Sequence, residues 1–210
     1  MSVPARIGIL ALQGDFEAHA RALRALGVHT CFVRKAAELE TVSALVLPGG
    51  ESSAMLKLME PDLMRLLCSR ITSGLPVLAT CAGIILLAKH VDNPEQESLS
   101  LLDVDVERNS YGRQVDSFVD PEMHWTADGR RFFKPQGHDA APEGVFIRAP
   151  RITRCGDKVK PILESRGDPV MVVQENIFAL TFHPEMSDEG QRIYEMWFNS
   201  SQSQTQRPHA

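Results

Sequence analysis

The sequence predicts an α/β fold: a mostly parallel central sheet, helices on both faces, and antiparallel hairpins added later in the chain. Three observations carry this expectation. In the first half, short apolar runs alternate with amphipathic stretches, and a β-α-β order returns successive strands in the same direction. Those runs lack the apolar–polar alternation of a half-exposed strand, as expected where both sheet faces are covered. Beyond residue 100 the runs are shorter and follow one another without helical patterns between them, which suggests hairpins on the same sheet.

Arg6–Leu12 is an Ile- and Leu-rich strand. Asp15 can cap a helix whose Phe16, Ala20, Leu23 and Leu26 form one apolar face, and Gly27 closes it. Val28–Val33 and Ala44–Leu47 read as the next two strands, the latter ending at Pro48-Gly49-Gly50. A helix starts at Ser52 or Ser53 and runs through Met59. Asp62 caps another, to about Thr72. Val77–Thr80 is a fourth strand and Ala82–His90 a helix. The second half offers strands at Leu101–Arg108, Gln114–Val119, Val145–Ala149, Ile152–Cys155, Val170–Gln174 and Ile177–Phe182. Asp120–Gly144 is polar and rich in Gly and Pro, and reads as a lid-like excursion. Ser187–Asn199 closes the fold as a helix with Ile193, Met196 and Trp197 on one side. Residues 1–200 are expected to form one domain, and Ser201–Ala210 a disordered tail.

Composition narrows the function. A length of 210 residues, 43% hydrophobic and 23% charged, suits one medium globular domain and excludes collagen, coiled coil and wholesale disorder. The net charge of −5 and the absence of a basic stripe argue against nucleic acid as partner. No apolar run reaches the ~18 residues needed to span a bilayer. The start of the chain does not read as a secretory leader. The four cysteines, Cys31, Cys68, Cys81 and Cys155, lack C-x-x-C spacing, so a reduced cytoplasmic setting is expected, without disulfides or zinc.

One cysteine stands apart. Val77-Leu78-Ala79-Thr80-Cys81-Ala82-Gly83-Ile84-Ile85 runs strand, cysteine, small residues, helix. That is the layout of a nucleophile elbow, where a sharp turn lifts the side chain from the sheet edge. Small neighbours are needed because backbone crosses backbone there. A helix start beneath the sulfur favours thiolate and offers N–H groups to an oxyanion. A buried inert cysteine fits the same local pattern. A thiolate attacking an amide needs a base that later protonates the leaving nitrogen. Of seven histidines, only His183 directly follows a buried-type strand with a carboxylate at fixed spacing, in Phe182-His183-Pro184-Glu185. In an extended segment residues i and i+2 point the same way, so Glu185 could hold the imidazole in one tautomer. The other six read as surface or structural, and no pair has zinc-ligand spacing.

Cys81 in T-C-A-G, together with His183-Pro184-Glu185, resembles the triad (class I) glutamine amidotransferases. More narrowly, the chain is similar to the glutaminase subunits of pyridoxal 5′-phosphate synthases. Four stretches carry that closer match: Leu10-Ala11-Leu12-Gln13-Gly14-Asp15, Pro48-Gly49-Gly50-Glu51-Ser52-Ser53, residues 108–118 (RNSYGRQVDSF), and Phe146-Ile147-Arg148-Ala149-Pro150. The likeness spans about Arg6 to Phe198. It departs at Ala79, where the family often has Gly, at Ser53, where Thr is frequent, and in the long 120–144 stretch with its Trp125, Phe132 and Phe133.

The resemblance implies a three-layer, flavodoxin-like fold and a reaction. L-Glutamine is hydrolysed to glutamate and ammonia, with Cys81 forming a γ-glutamyl thioester, His183 moving protons and Glu185 orienting it. It implies glutamine contacts at Gly50, Glu51, Ser52, Arg108, Ile147 and Arg148, an oxyanion hole at the Gly50 and Ala82 backbone, and Gln13 beside it. Guanidinium groups suit the α-carboxylate of glutamine, without deciding which arginine holds it. It further implies that ammonia passes to a (β/α)₈ synthase subunit, in an assembly of twelve glutaminases around twelve synthases. Pyridoxal 5′-phosphate is then a product of the complex, and no cofactor or metal is expected on this chain. Three alternatives stay open: a glutaminase serving another synthase such as that of imidazole glycerol phosphate, a non-catalytic scaffold, and a cysteine hydrolase acting on peptides.

Overall fold

The structure is a computed structural model and describes residues 6–108, 117–133 and 140–205. Its centre is a sheet built from β1 (Arg6–Leu10), β2 (His29–Val33), β3 (Ala44–Leu47), β4 (Val77–Thr80), β8 (His124–Trp125), β11 (Lys160–Ser165), β12 (Asp168–Gln174) and β13 (Ile177–Leu180). Their order is β2-β1-β3-β4-β13-β12-β11-β8. The pairs from β2 to β13 are parallel, and β13–β12, β12–β11 and β11–β8 are antiparallel. The expected parallel sheet extended by later strands is therefore present.

Why these strands read as unbroken apolar runs is visible in their two faces. Leu45 and Leu47 of β3, with Val77 and Ala79 of β4, join a cluster with Leu63, Leu67 and Ile71. Ala44, Val46 and Leu78 point the other way, toward Leu23, Ile193 and Trp197. Successive strand residues alternate faces, so a strand covered on both sides must be apolar throughout. The first face is covered by α2 (Ala36–Glu40), α4 (Pro61–Thr72) and α5 (Ala82–Leu87), the second by α1 (Phe16–Ala25) and α7 (Gln191–Thr205), with α3 (Ser52–Leu58) leaning on α5. Each fully buried Leu or Ile contributes about 1.5–3 kcal/mol relative to exposure.

Several expectations are corrected. The helix from Ala82 ends at Leu87, and Ala88–Asp92 forms strand β5 instead of continuing to His90. Lys89, His90 and Asp92 are exposed while Ala88 and Val91 are buried, and that partial alternation suits a strand. β5 pairs with β6 (Leu102–Glu107), which also pairs with β10 (Arg151–Cys155), giving a small sheet apart from the main one. Strand β11 was not expected. Helix α2 was also unexpected, its five residues being too short for a periodic signal. Asp62 does not cap α4; Glu60 occupies that position and Pro61 starts the helix, where a missing N–H costs nothing.

The 120–144 stretch is not a plain loop. It contains β8 and a short helix α6 (Ala127–Phe133), with Trp125 buried and Phe133 packed on Phe178. Phe132 remains partly exposed. Of the Gln114–Val119 strand, residues 114–116 lie outside the described residues, and β7 (Phe118–Asp120) pairs with β9 (Gly144–Phe146). Helix α7 runs through Thr205, beyond the Asn199 end expected for it; residues 206–210 lie outside the described residues.

The topology positions the site. In the sheet order β1, β3, β4 and β13 are consecutive neighbours and parallel, so their carboxyl ends share one edge. The residues just past those ends are Gln13, Gly49–Glu51, Cys81 and His183. Open α/β sheets gather their chemistry along such an edge.

Candidate active site

Cys81 sits between β4 and α5 with φ 45° and ψ −103°. A non-glycine residue at positive φ is strained, and such strain clusters at functional turns. Its N–H donates to Leu180 O at 2.9 Å and its carbonyl accepts from Ile84 N at 3.2 Å, which pins the turn. The need for small neighbours is concrete at Gly83, where a Cβ would lie 2.4 Å from Leu47 O. Ala79 tolerates its methyl within the sheet, in register with Leu47 and Ala179. The Sγ atom lies 3.9 Å from Ile147 O.

His183 follows β13, its N–H donating to Val145 O at 2.9 Å. Pro184–Met186 form a 3₁₀ turn, not the extended segment expected. Pro184 at the first turn position has the φ that a helical turn requires. The contact is nonetheless made: His183 Nδ1 lies 2.7 Å from Glu185 Oε1. Burial alone would discharge the His183 ring, but hydrogen bonds to Cys81 and Glu185 outweigh it and push its pKa up to about 10. Burial pushes the Glu185 carboxyl up, and the two neighbouring histidines, His19 and His183, reverse this and bring it below its ordinary value. The other three thiols are free, and burial outweighs Arg6 beside Cys31 and Arg154 beside Cys155. Burial pushes Cys31, Cys68 and Cys155 up, away from the reactive form.

A cavity of about 270 Å³ opens at this edge, lined by Gly50, Glu51, Ser52, Cys81, Ile85, Arg108, Ile147, Arg148 and His183. Clefts for drug-sized ligands run roughly 300–1,000 Å³, so this one suits a smaller molecule such as an amino acid. Every residue expected to contact glutamine is on its wall. Arg108 Nη2 meets Glu51 Oε1 at 3.0 Å. Glu51 also caps α3, accepting from Ser53 N and Ala54 N. Burial of the Glu51 carboxyl is outweighed by Ser53, Ala54 and Arg108, which hold it below its ordinary value. Ser52 is turned away, its Oγ donating to Gln96 Oε1 at 2.9 Å.

Gln13 and Ala82 lie beside the cavity, not on its wall. Gln13 Oε1 accepts from Glu51 N at 2.6 Å, bracing the Gly50 turn. Ala82 is buried directly after Cys81. Among the described residues no group of three His, Cys, Asp or Glu side chains could hold a metal ion, and no helix is long and apolar enough to cross a membrane.

Sequence reasoning missed four contributors. A Cβ on Gly49 would lie 2.5 Å from His183 Cε1 and 3.4 Å from Cys81 Cβ, so a bare backbone there makes room for the ring. Ile85 adds an apolar wall. His19 and Tyr194 stand behind Glu185. His19 left a signal: positions 16, 19, 20 and 23 make one helical face, so a polar ring at 19 is carried into the core. Tyr194 is adjacent to the apolar Ile193 on α7 and gave none.

The sequence pattern of the SNO glutamine amidotransferase family matches residues 9–203. The chain is 46% identical over 185 residues to the pyridoxal 5′-phosphate synthase subunit PdxT of Thermotoga sp. (strain RQ2), covering 88% of this chain and 93% of that one. It is 42% identical over 196 residues to the PdxT subunit of Solibacter usitatus (strain Ellin6076), covering 92% and 98%. A solved structure described as a glutamine amidotransferase superposes with a TM-score of 0.81 at 38% identity, covering 93% of this chain and 98% of that one. Likeness over this much of the chain, in sequence as in superposed backbone, makes it a member of the SNO glutamine amidotransferase family.

Proposed function

We propose that the chain is the glutaminase subunit of a pyridoxal 5′-phosphate synthase, hydrolysing L-glutamine to L-glutamate and ammonia. The observation that carries this is the meeting of a strained cysteine and a charge-stabilised histidine on the wall of one amino-acid-sized cavity. The names of the relatives supply the synthase.

In this reading Cys81 Sγ attacks the side-chain amide carbon of glutamine. The carbonyl oxygen becomes an oxyanion, held by backbone N–H groups at Gly50 and Ala82. His183 gives its proton to the amide nitrogen, the C–N bond breaks, and ammonia leaves a γ-glutamyl thioester. A water then loses its proton to His183 and attacks the thioester; glutamate departs and the sulfur is restored. Glu185 keeps the ring oriented and stabilises its charge. Arg108 and Arg148 offer guanidinium groups to the α-carboxylate, Glu51 offers a carboxylate to the α-ammonium, and Gly50, Ser52 and Ile147 shape the rest. Gln13 supports the oxyanion turn. Ammonia passes to a (β/α)₈ synthase subunit that makes pyridoxal 5′-phosphate from a pentose phosphate and a triose phosphate, in a twelve-plus-twelve assembly. Four free cysteines suit a cytoplasmic setting.

The test is ammonia release from glutamine with and without a pyridoxal 5′-phosphate synthase barrel. Stimulation by that barrel, lost in Cys81→Ala, is the expected result. Stimulation only by another synthase, or cleavage of peptides instead of glutamine, would overturn it.

A further inference from the structure

Behind Glu185 stands a histidine that the proposed reaction does not use. His19, on α1, is fully buried and does not line the cavity. Its Nε2 lies 3.5 Å from Glu185 Oε1 and 3.3 Å from Thr80 Oγ1, and its Nδ1 lies 2.6 Å from the Tyr194 hydroxyl. The groups facing it are Glu185 from the 3₁₀ turn, His183 beyond it, Thr80 from β4, Tyr194 from α7 and Asp15 at the start of α1.

These partners favour one tautomer. A carboxylate only accepts, so a proton on the nitrogen 3.5 Å from Glu185 is attracted, where a lone pair would be repelled. Nδ1 then has a lone pair, and the Tyr194 hydroxyl donates into it. Burial, with the charges of Glu185 and Asp15, holds the Tyr194 phenol far above its ordinary value, so it stays a donor. Burial also lowers the His19 pKa, which keeps the ring neutral. Glu185 Oε1 thus receives the Nδ1–H of His183 at 2.7 Å and faces the polar Nε2–H of His19 at 3.5 Å. Its Oε2 has no hydrogen-bond partner among the described residues, so the polar contacts at Oε1 matter more.

We propose that His19 is a positioning residue for the proposed glutaminase chemistry: its Nε2–H, oriented by Tyr194, holds ionised Glu185 against His183. Without it the buried carboxylate loses a polar neighbour and is more readily neutralised or displaced. His183 then loses its counter-charge.

Imidazole ¹⁵N spectra of the full chain test this without glutamine or a partner. His19 is expected as the neutral Nε2–H tautomer near pH 8, titrating below the range of ordinary histidines. His19→Leu should lower the His183 titration midpoint by about one unit. His19→Gln, which keeps an N–H near that position, should recover most of it. With the synthase barrel present, His19→Leu should lower kcat about tenfold and leave KM for glutamine within about twofold. An Nδ1–H ring at His19, or an unmoved His183 midpoint in folded His19→Leu, would overturn the proposal. If His19→Leu does not fold, Tyr194→Phe must alter the His19 tautomer populations; an unchanged ring spectrum there overturns it too. The proposal rests on the glutaminase reading, but the spectra stand apart from it. A chain with this network that never releases ammonia overturns that reading alone.

Discussion

Gly49 has no side chain, and His183 occupies the space that one would need. Adding a methyl there strikes the ring at Cε1 and Nδ1, with Cys81 Cβ 3.4 Å away. Gly49→Ala is expected to fold and to displace the imidazole by a few tenths of an ångström or more. Misplacement on the order of 1 Å costs about a hundredfold in rate, so kcat should fall toward that figure with little change in melting temperature. Normal kcat in the variant would show that the ring does not need this position. His183 also makes stability depend on pH. Its pKa rises from 6.5 to about 10 on folding. A group raised in the folded state stabilises fully below its unfolded pKa and ceases to do so as pH climbs through the folded one. The stability advantage of the wild type over His183→Asn should therefore be greatest at pH 6 and shrink between about pH 6.5 and 10. Urea titrations of both proteins across that range check this; a constant difference would mean that the ring is not held charged. At constant pH the same variant should lose roughly 10²–10⁴-fold in glutaminase rate while remaining folded.

At the scale of elements, the start of helix α3 is also a wall of the candidate site. Glu51 caps the helix through Ser53 N and Ala54 N and at the same time pairs with Arg108. Glu51→Ala removes an N-cap, which costs about 0.5–2 kcal/mol, and frees Arg108 inside the cavity. The expected outcome is a modest fall in urea midpoint and a larger effect on glutamine use, with KM raised by about tenfold or more. Unchanged kinetics with the synthase bound would remove Glu51 from substrate binding. Helix and strand signals differed in how legible they were. The strands β1, β3, β4 and β13 could be read because burial on both faces forces continuous apolar runs. Helix α1 could be read because Asp15 caps it and its apolar face repeats. The end of α5 could not: Ile84 to Ala88 is apolar and buried in both elements, so periodicity does not mark where helix becomes strand. Strand β11 carries Lys160, Pro161 and Glu164 beside Ile162 and Leu163, and its pairing with β12 contains register shifts. Such bulges break the period of two that sequence reasoning relies on.

The site is a property of the whole molecule, because its members come from distant parts of the chain. His19 and Tyr194 are separated by 175 positions, and Thr80 and His19 by 61, yet each pair is in hydrogen-bonding contact. What sequence could reveal was the elbow at Cys81 and the His183–Glu185 pair, where each spacing is local. That β13 lies directly beside β4, bringing those two motifs together, depends on a crossover late in the chain that no local pattern encodes. The buried ring of His19 behind Glu185 depends on α1 and α7 packing on the same sheet face. A constellation assembled this way has no means of surviving partial unfolding of either half. Small domains commonly unfold in one cooperative step, whereas peripheral segments open at lower free energy. The expectation is that the His183–Glu185 contact is lost together with the sheet. In a urea titration, the His183 imidazole signal, the far-UV circular dichroism and the fluorescence of Trp197 should give one coincident midpoint. Trp125, on the edge strand β8, is the internal contrast: its surroundings on α6 can loosen earlier without disturbing the edge where Cys81 and His183 meet. Loss of the His183 signal well before the circular dichroism would mean that the 3₁₀ turn opens on its own. The pair would then be held by local contacts, and the strand order would not be what secures it.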